Sequence, residues 1–332
     1  MGGLSGTALA LFMNRLSANE QAAPRPAGTL SFRNGKFRIL QLTDCHLDFN
    51  GDYGNATEKR TLDLIRLLLE RNKPDLVVLT GDIVTGQAKS MPRGLADAWG
   101  TVTAVFEEAQ VPFAVTFGNH DHEEHSETGT EQLEMIQRSP WNLTFNDDDS
   151  IPGVGNCILP ILGAGGQLAR RLWLFDSNAS SERRDLSDWG WIKFDQVEWF
   201  RKAACGHDVP ALAFFHIPLP EYWELYKHPG TLGTMNEDPC SPKINTGLFA
   251  AFAEAGDVEG VFTGHDHDND YIAEWKGITL AYGRKTGYGW YGSLEKGGRM
   301  IEMDEGKPGF TTWIVTKDGD LDIYSKPVDG GK

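Results

Sequence analysis

Five apolar runs in this chain end in the same way, and that repetition restricts the fold more than any other feature. Each run is followed by a small or polar break and then by residue types that bind metals. After 37–43 come Asp44 and His46, after 75–80 come Gly81 and Asp82, and after 111–117 come Gly118, Asn119, His120 and Asp121. After 211–215 comes His216, and after 258–263 come Gly264, His265 and His267. The run at 75–80 is apolar throughout, the mark of a strand buried on both faces. Helical patterns lie between the runs. The stretch 55–58 reads as a capping box ahead of an apolar face made by Leu62, Ile65, Leu68 and Leu69. Further helices are predicted near 94–109, 127–138, 196–204 and 246–255, a strand at 172–175, and strand after strand from 269 to 325. No linker or repeat interrupts this alternation, so one α/β domain is predicted. Ligands of open α/β sheets gather at the carboxyl ends of strands, so five such loops can converge on one site.

Two stretches lack a regular pattern. Residues 145–168 carry Asn, Asp and Gly clusters, and residues 217–245 contain five prolines, which exclude a regular element. Loops of this length in a compact domain are often functional.

The donor types at the five strand ends specify the chemistry. In extended backbone, residues i and i+2 point the same way, so Asp44 with His46, and His265 with His267, are each expected to aim two donors at one cluster. A mixed set of carboxylate, imidazole and amide ligands suits Mn, Fe or Zn and is poor for calcium. Four histidines, two aspartates and one asparagine are too many for one tetrahedral zinc. They are about right for two metals sharing a carboxylate. A lone histidine at a strand end is usually solvated or hydrogen-bonded, but five such motifs in order are not plausibly accidental. Of the remaining histidines, His207 and His228 are read as surface residues, and His122 and His125, in the loop after Asp121, as exposed or else lining the pocket.

Composition narrows the partners. The chain has 332 residues, long enough to bury a core without disulfides, and no apolar run long enough to span a membrane. Lysine and arginine total 31 against 47 acidic residues, a net charge of −16 that argues against a nucleic-acid binder. It leaves small phosphate esters open as substrates, because a local metal cluster outweighs a distant acidic surface. Cys45, Cys157, Cys205 and Cys240 form no CxxC pair and read as small buried side chains.

Taken together, Asp44-Cys-His46, Gly81-Asp82, Gly118-Asn-His-Asp121, His216 and Gly264-His-Asp-His267 resemble the motif set of the calcineurin-like metallophosphoesterases over about residues 36–283. The resemblance implies a four-layer αββα sandwich of two mixed β-sheets flanked by helices. It implies that Asp44, His46 and His267 bind one metal, that Asn119, His216 and His265 bind the other, and that Asp82 bridges them. The cofactor expected is a pair of divalent or mixed-valence ions, Mn, Fe or Zn. His120 would contact the phosphate and assist the leaving group, and Asp121 would orient His120 or cap a helix. The expected reaction is hydrolysis of a phosphate ester by a metal-bridging hydroxide, a monoester first and a cyclic-nucleotide or other diester second. A metal-dependent nuclease and a non-catalytic binding protein rank below both, since the charge is wrong for the first and no ligand is missing for the second.

Finer motifs, among them 190–196, 216–222 and 282–289, resemble the branch containing plant purple-acid-phosphatase-like proteins and a yeast cell-cycle regulator phosphatase. True purple acid phosphatases place a tyrosine ligand where this chain has Thr85, and lack the equivalent of His46, so no tyrosinate–iron colour is expected. For substrate contacts the candidates are Tyr222, as part of an aromatic wall with Trp223 and Tyr226 or else as a loop anchor, and Arg284, meeting a second phosphate or else solvated.

The catalytic domain is expected to occupy 30–332. Residues 1–29 are read as a leader or a disordered terminus: 2–13 have the length of a signal-peptide apolar core, resembling the second half of a twin-arginine leader. A leader would send the protein to the periplasm or outside the cell; a frayed terminus would leave it in the cytoplasm.

Overall fold

Period-two alternation sorts the apolar strands onto two faces, and both faces are buried. The computed structural model describes residues 29–325, except 49–55, 86–93, 123–128, 182 and 207–208. The proposed leader and Asn55 of the capping box therefore lie outside the described residues.

One sheet has seven strands in the order β1 (Leu30–Ser31), β5 (Cys157–Leu162), β6 (Leu168–Leu174), β7 (Ala211–Phe214), β8 (Val258–Thr263), β10 (Ile278–Tyr282) and β9 (Ile272–Trp275). The other has six, in the order β13 (Asp320–Ser325), β12 (Thr311–Thr316), β11 (Gly297–Asp304), β2 (Lys36–Leu42), β3 (Leu76–Thr80) and β4 (Phe113–Thr116). Both are mixed: β2, β3 and β4 run parallel beside an antiparallel meander, and β6, β7, β8 and β10 run parallel between antiparallel neighbours.

The alternation is visible residue by residue. Leu76 and Val78 of β3 face inward, with Leu172, Leu212, Phe214 and Phe262 of the opposite sheet. Val77 and Leu79 face outward onto helices α1 (Ala56–Asn72), α2 (Leu95–Ala109) and α3 (Gly129–Ile136), where Leu68, Trp99 and Phe106 complete a second core. Trp173, Phe175 and Phe215 pack likewise against α4 (Phe194–Ala204), the four-residue α5 (Tyr222–Leu225) and α6 (Leu248–Ala255). The result is the four-layer αββα sandwich expected from the motif resemblance.

Strand β5 departs from the sequence reading, which treats 145–168 as irregular. Pro160 lies in its middle. The proline is tolerated because the neighbour β1 pairs only with Ile161 and Leu162, leaving most of β5 an edge on that side. The cysteine expectation also holds only in part: Cys45 and Cys157 are buried, Cys205 is exposed and Cys240 half-buried, all as free thiols. No helix among the described residues is long and apolar enough to cross a membrane.

Buried polar side chains tie the two sheets together. Arg299 of β11, fully buried, donates to the carbonyl oxygens of Tyr282 at 2.8 Å and Asp270 at 2.7 Å, both on the seven-stranded side. Gln41 of β2 donates to Thr80 Oγ1 and to the Thr263 carbonyl, each at 2.9 Å. Arg299→Met keeps the bulk and strips these carbonyls of their donor. A loss of about 2–5 kcal/mol is expected, from acceptors left unsatisfied in the dry interior, read as a lower urea midpoint at unchanged slope. An unchanged midpoint would mean that the inter-sheet tie contributes nothing net.

Candidate metal centre

The five loops meet at the edge where the parallel strands of both sheets end. The first two continue side by side beyond their strands: the Asp44 N–H donates to the Gly81 carbonyl (3.0 Å), His46 to Asp82 (2.9 Å) and Leu47 to Ile83 (3.0 Å). This pairing corrects the extended i, i+2 geometry expected for Asp44 and His46. Both are left-handed, with φ of 52° and 45°, and so are Asp82 at 52° and His265 at 81°. Such backbone costs about 1–2 kcal/mol per non-glycine residue, and here it turns the side chains together instead of letting them follow the strand. Glycine is required at two neighbouring points. A Cβ on Gly118 would strike the Asp82 carboxylate, and one on Gly264 would strike Thr43 Oγ1 and the Asp44 carboxylate.

Asp121 organises two of the loops. Its buried carboxylate accepts the N–H groups of Asp82 (2.8 Å), Ile83 (2.9 Å), Val84 (2.9 Å) and Gly118 (2.8 Å). The sequence reading made it an orienter of His120 or a helix cap. In the structure its oxygens are occupied by these backbone donors, so it locks the Asp82 loop to the Asn119–His120 loop. Burial, and then the neighbouring Asp82 charge, push its pKa up to about 6 against those donors.

Six of the seven expected ligands form two groups that share one residue. Asp44, His46, Asp82 and His267 make one, and Asp82, His216 and His265 the other; all are buried. His46 Nε2 lies 2.9 Å from His267 Nε2, and His267 Nε2 lies 3.3 Å from Asp44 Oδ1. His216 Nε2 lies 3.1 Å from Asp82 Oδ2 and 3.3 Å from His265 Nδ1. The outward atoms fix these orientations. His216 Nδ1 donates to the Thr80 carbonyl at 2.7 Å, and His267 Nδ1 to the Tyr291 carbonyl at 3.0 Å, so each Nε2 faces the cluster. Asp44 Oδ2 accepts from Thr43 Oγ1 (2.7 Å) and the His265 N–H (3.1 Å), which leaves Oδ1 toward the cluster.

The donors fit a pair of metal ions. Asp44 Oδ1 and both amide atoms of Asn119, the seventh expected ligand, are buried with no hydrogen-bond partner among the described residues. Leaving the two oxygens bare is expensive unless a cation takes them, while the Asn119 amide N–H groups call for an acceptor instead. Electrostatics agree. Burial lowers the pKa of His46 well below the ordinary range, and that of His265 to about 3 with the His216 charge adding to it. Burial opposes a His216 cation too, but the Asp82 carboxylate outweighs it and raises His216. Asp82 is held well down for the reciprocal reason. A proton on His216 thus stands where a cation would.

His120 lies half-buried at the mouth, its ring centroid 5.2 Å from that of His46, and its N–H donates to Asp82 Oδ1 at 2.8 Å. The rim is aromatic. Trp290 and Tyr291 lie against His46 and His267, and Trp189 stands edge-on to His265 at 4.4 Å. These were missed in the sequence, although the glycine–aromatic alternation of 287–292 was a usable signal. His122 borders an adjoining cleft of about 480 Å³ with Asp176, Arg183 and Trp191; it is half-buried, and His228 is exposed as expected, while His125 and His207 fall outside the described residues.

Two substrate candidates are corrected. Tyr222 is fully buried, its hydroxyl 3.2 Å from the Val261 carbonyl and 3.1 Å from that of Ala281, and its ring packs on Tyr282; it anchors the loop and lines no site. Arg284 is 4% exposed, ion-paired with Asp270 and bonded to the Glu295 carbonyl at 2.9 Å, so its charge is already matched. A polar side chain in a loop or turn reads as available when the partner that buries it is distant in sequence.

A family model described as calcineurin-like phosphoesterase matches residues 37–269. Among curated proteins, "Probable inactive purple acid phosphatase 14" of Arabidopsis thaliana is 30% identical, covering 84% of this chain and 78% of its own. "Phosphatase DCR2" of Saccharomyces cerevisiae is also 30% identical over 84% of this chain, which spans 53% of the yeast protein. Among solved structures, a dimetal phosphatase from Danio rerio superposes with a TM-score of 0.60 at 17% identity, over 88% of this chain and 99% of that one, a likeness of fold.

Two outcomes test the site. Titrating Mn(II) into the metal-stripped protein at pH 7, in buffers of different ionisation enthalpy, is expected to release about one proton per chain from His216, so affinity rises with pH. Heats independent of the buffer would contradict the arrangement. Asp121→Asn removes no ligand, yet it replaces an acceptor of four N–H groups, and about a 10–100-fold loss of metal affinity is expected in the same titration. Wild-type affinity would show that the loops hold without it.

Proposed function

The chain belongs to the calcineurin-like phosphoesterase family, and from that premise we propose that it hydrolyses phosphate monoesters at a two-metal site built on Asp82. The observation that carries this reading is one buried carboxylate shared by two ligand groups, with His120 at the mouth beside them. Bound there, two divalent ions would supply Lewis acidity toward phosphate oxygens and hydroxide near neutral pH. Asp44, His46 and His267 would hold one, and Asn119, His216 and His265 the other. The neutral imidazole of His46, with Thr85 in place of a tyrosine ligand, favours divalent Mn, Fe or Zn over a tyrosinate-bound ferric ion.

The chain's own groups do the rest. Asp121 holds the Asp82 and Asn119 loops in fixed register, so the donors need no rearrangement when substrate arrives. His120, tied through its N–H to Asp82, donates a hydrogen bond or proton to the ester oxygen as it leaves. The word "inactive" in the plant relative's name describes that protein. In this chain the seven donor positions and His120 are all present, which supports turnover.

The test is a comparison of para-nitrophenyl phosphate with bis-para-nitrophenyl phosphate, with Mn, Fe and Zn supplied separately and metal content measured. Faster hydrolysis of the monoester at about two metals per chain is expected; faster hydrolysis of the diester would reassign the protein as a phosphodiesterase. His120→Ala is expected to keep its metals and lose about 10²–10⁴-fold in turnover on an alkyl ester, whose leaving group needs the proton. Asp82→Asn is expected to bind no more than one metal and to lose activity altogether.

A further inference from the structure

Trp290 is held over the site's histidines in a backbone conformation that its chain neighbours do not require. Its backbone φ is 60°, a region that bulky residues rarely adopt. The segment is already anchored by its neighbour. The Tyr291 carbonyl accepts from His267 Nδ1 at 3.0 Å, the Tyr291 ring stacks on His267 at 4.1 Å, and its hydroxyl donates to Glu237 Oε2 at 3.0 Å. None of those contacts needs an indole one residue earlier. Yet the Trp290 ring lies nearly parallel over His46, with centroids 4.8 Å apart and planes at 24°, and sits 4.4 Å from the His120 ring. It remains 48% exposed, so one face covers the site while the rest meets solvent. Strain held at a site, with a large flat side chain left half in water, is the pattern of a binding surface rather than of a core.

The position of His120 says what would bind. On the reading above, His120 meets the ester oxygen as it leaves, so the group attached to that oxygen emerges beside Trp290. We propose that Trp290 is the platform for the leaving group, and that the site selects phosphate esters whose alcohol carries a flat aromatic ring within a bond or two of the ester oxygen. The inference rests on the phosphoester reading and adds the chemical class of the substrate. Trp189, half-buried and edge-on to His265, adds a second aromatic side chain beside the other ligand group.

Benzyl phosphate and cyclohexylmethyl phosphate separate this from plain hydrophobicity. The two are alike in size and in leaving-group chemistry, and only one has a π face. Their phosphonate analogues, which cannot be hydrolysed, report binding without turnover. On the Mn-loaded full chain, calorimetry is expected to show the benzyl phosphonate bound roughly tenfold more tightly than the saturated one, and kcat/KM for the esters to follow. In Trp290→Ala that ratio is expected to fall to about one, while Trp290→Phe, which keeps a ring, retains most of it. Metal content is measured in each, because the indole also covers His46. Equal binding of the two analogues by the unaltered protein overturns the platform, whatever the variants do, and so does a preference that survives Trp290→Ala. If the unaltered protein neither binds the phosphonates nor hydrolyses either ester, the phosphoester reading itself fails. Equal binding with turnover intact fails only the platform.

Discussion

A buried carboxylate cannot stay charged without compensation, and Asp82 lies at the centre of this molecule's chemistry for that reason. Its Oδ1 is satisfied by the His120 N–H, while Oδ2 faces His216 at 3.1 Å and His46 at 3.7 Å. No lysine or arginine forms an ion pair with it among the described residues; the buried Lys285, whose Nζ donates to the Asp44 carbonyl at 3.1 Å, acts on it only through space, so the charge in direct contact is a proton on His216 or a cation between the two ligand groups. Everything around the site serves that requirement. Thr80 and Tyr291 orient histidines from behind, and Asp121 gathers four backbone donors beneath the Asp82 loop. Because Asp121 is itself a buried acid beside Asp82, the two repel. The N–H groups it collects are what make that proximity tolerable.

The sandwich exists to bring the strand ends of two sheets to one edge. β2, β3 and β4 deliver Asp44, His46, Asp82, Asn119 and His120; β7 and β8 deliver His216, His265 and His267. Each of the two groups draws residues from both sheets. The ties between sheets lie close to that edge: Gln41 joins Thr80 and Thr263, the last residues of β3 and β8, and Arg299 holds the Tyr282 carbonyl at the end of β10. A rigid floor matters here because ligand geometry tolerates little looseness, and buried, fully paired polar groups supply direction that apolar packing does not.

What the sequence made legible was the part governed by local pattern. Strand runs, their terminal ligand residues and most helices follow from periodicity and residue type, because a buried strand must be apolar and a ligand must be a donor. What it hid was governed by partners distant along the chain. Tyr222 and Arg284 looked available because Val261, Ala281 and Asp270, which consume them, are fixed only by tertiary structure. Strand β5 was obscured by Pro160, whose acceptability depends on a two-residue neighbour more than a hundred residues earlier in the chain. The role of Asp121 was misjudged for the same reason: its partners are backbone N–H groups, which have no signature in residue identity.

Backbone strain locates the site without reference to any motif. Among the described residues with left-handed φ that are not glycine, Asn34, Lys73, Gln110, Lys227, Lys276 and Asp322 are exposed and Asn178 is half-buried. The buried ones are Asp44, His46, Asp82 and His265, all expected ligands. Turns and irregular pairing explain the first set, Asp322 lying in β13 where its register with β12 shifts. Nothing in the packing of a strand end requires the second, so its strain persists because the surrounding loops over-determine it, and the convergence of donors is what that strain secures. Trp290 belongs to neither set. It is exposed like the turn residues, bulky as none of them is, and in contact with two of the site's histidines. By the same logic that separates ligands from turns, its conformation is held for what it presents to the mouth of the site.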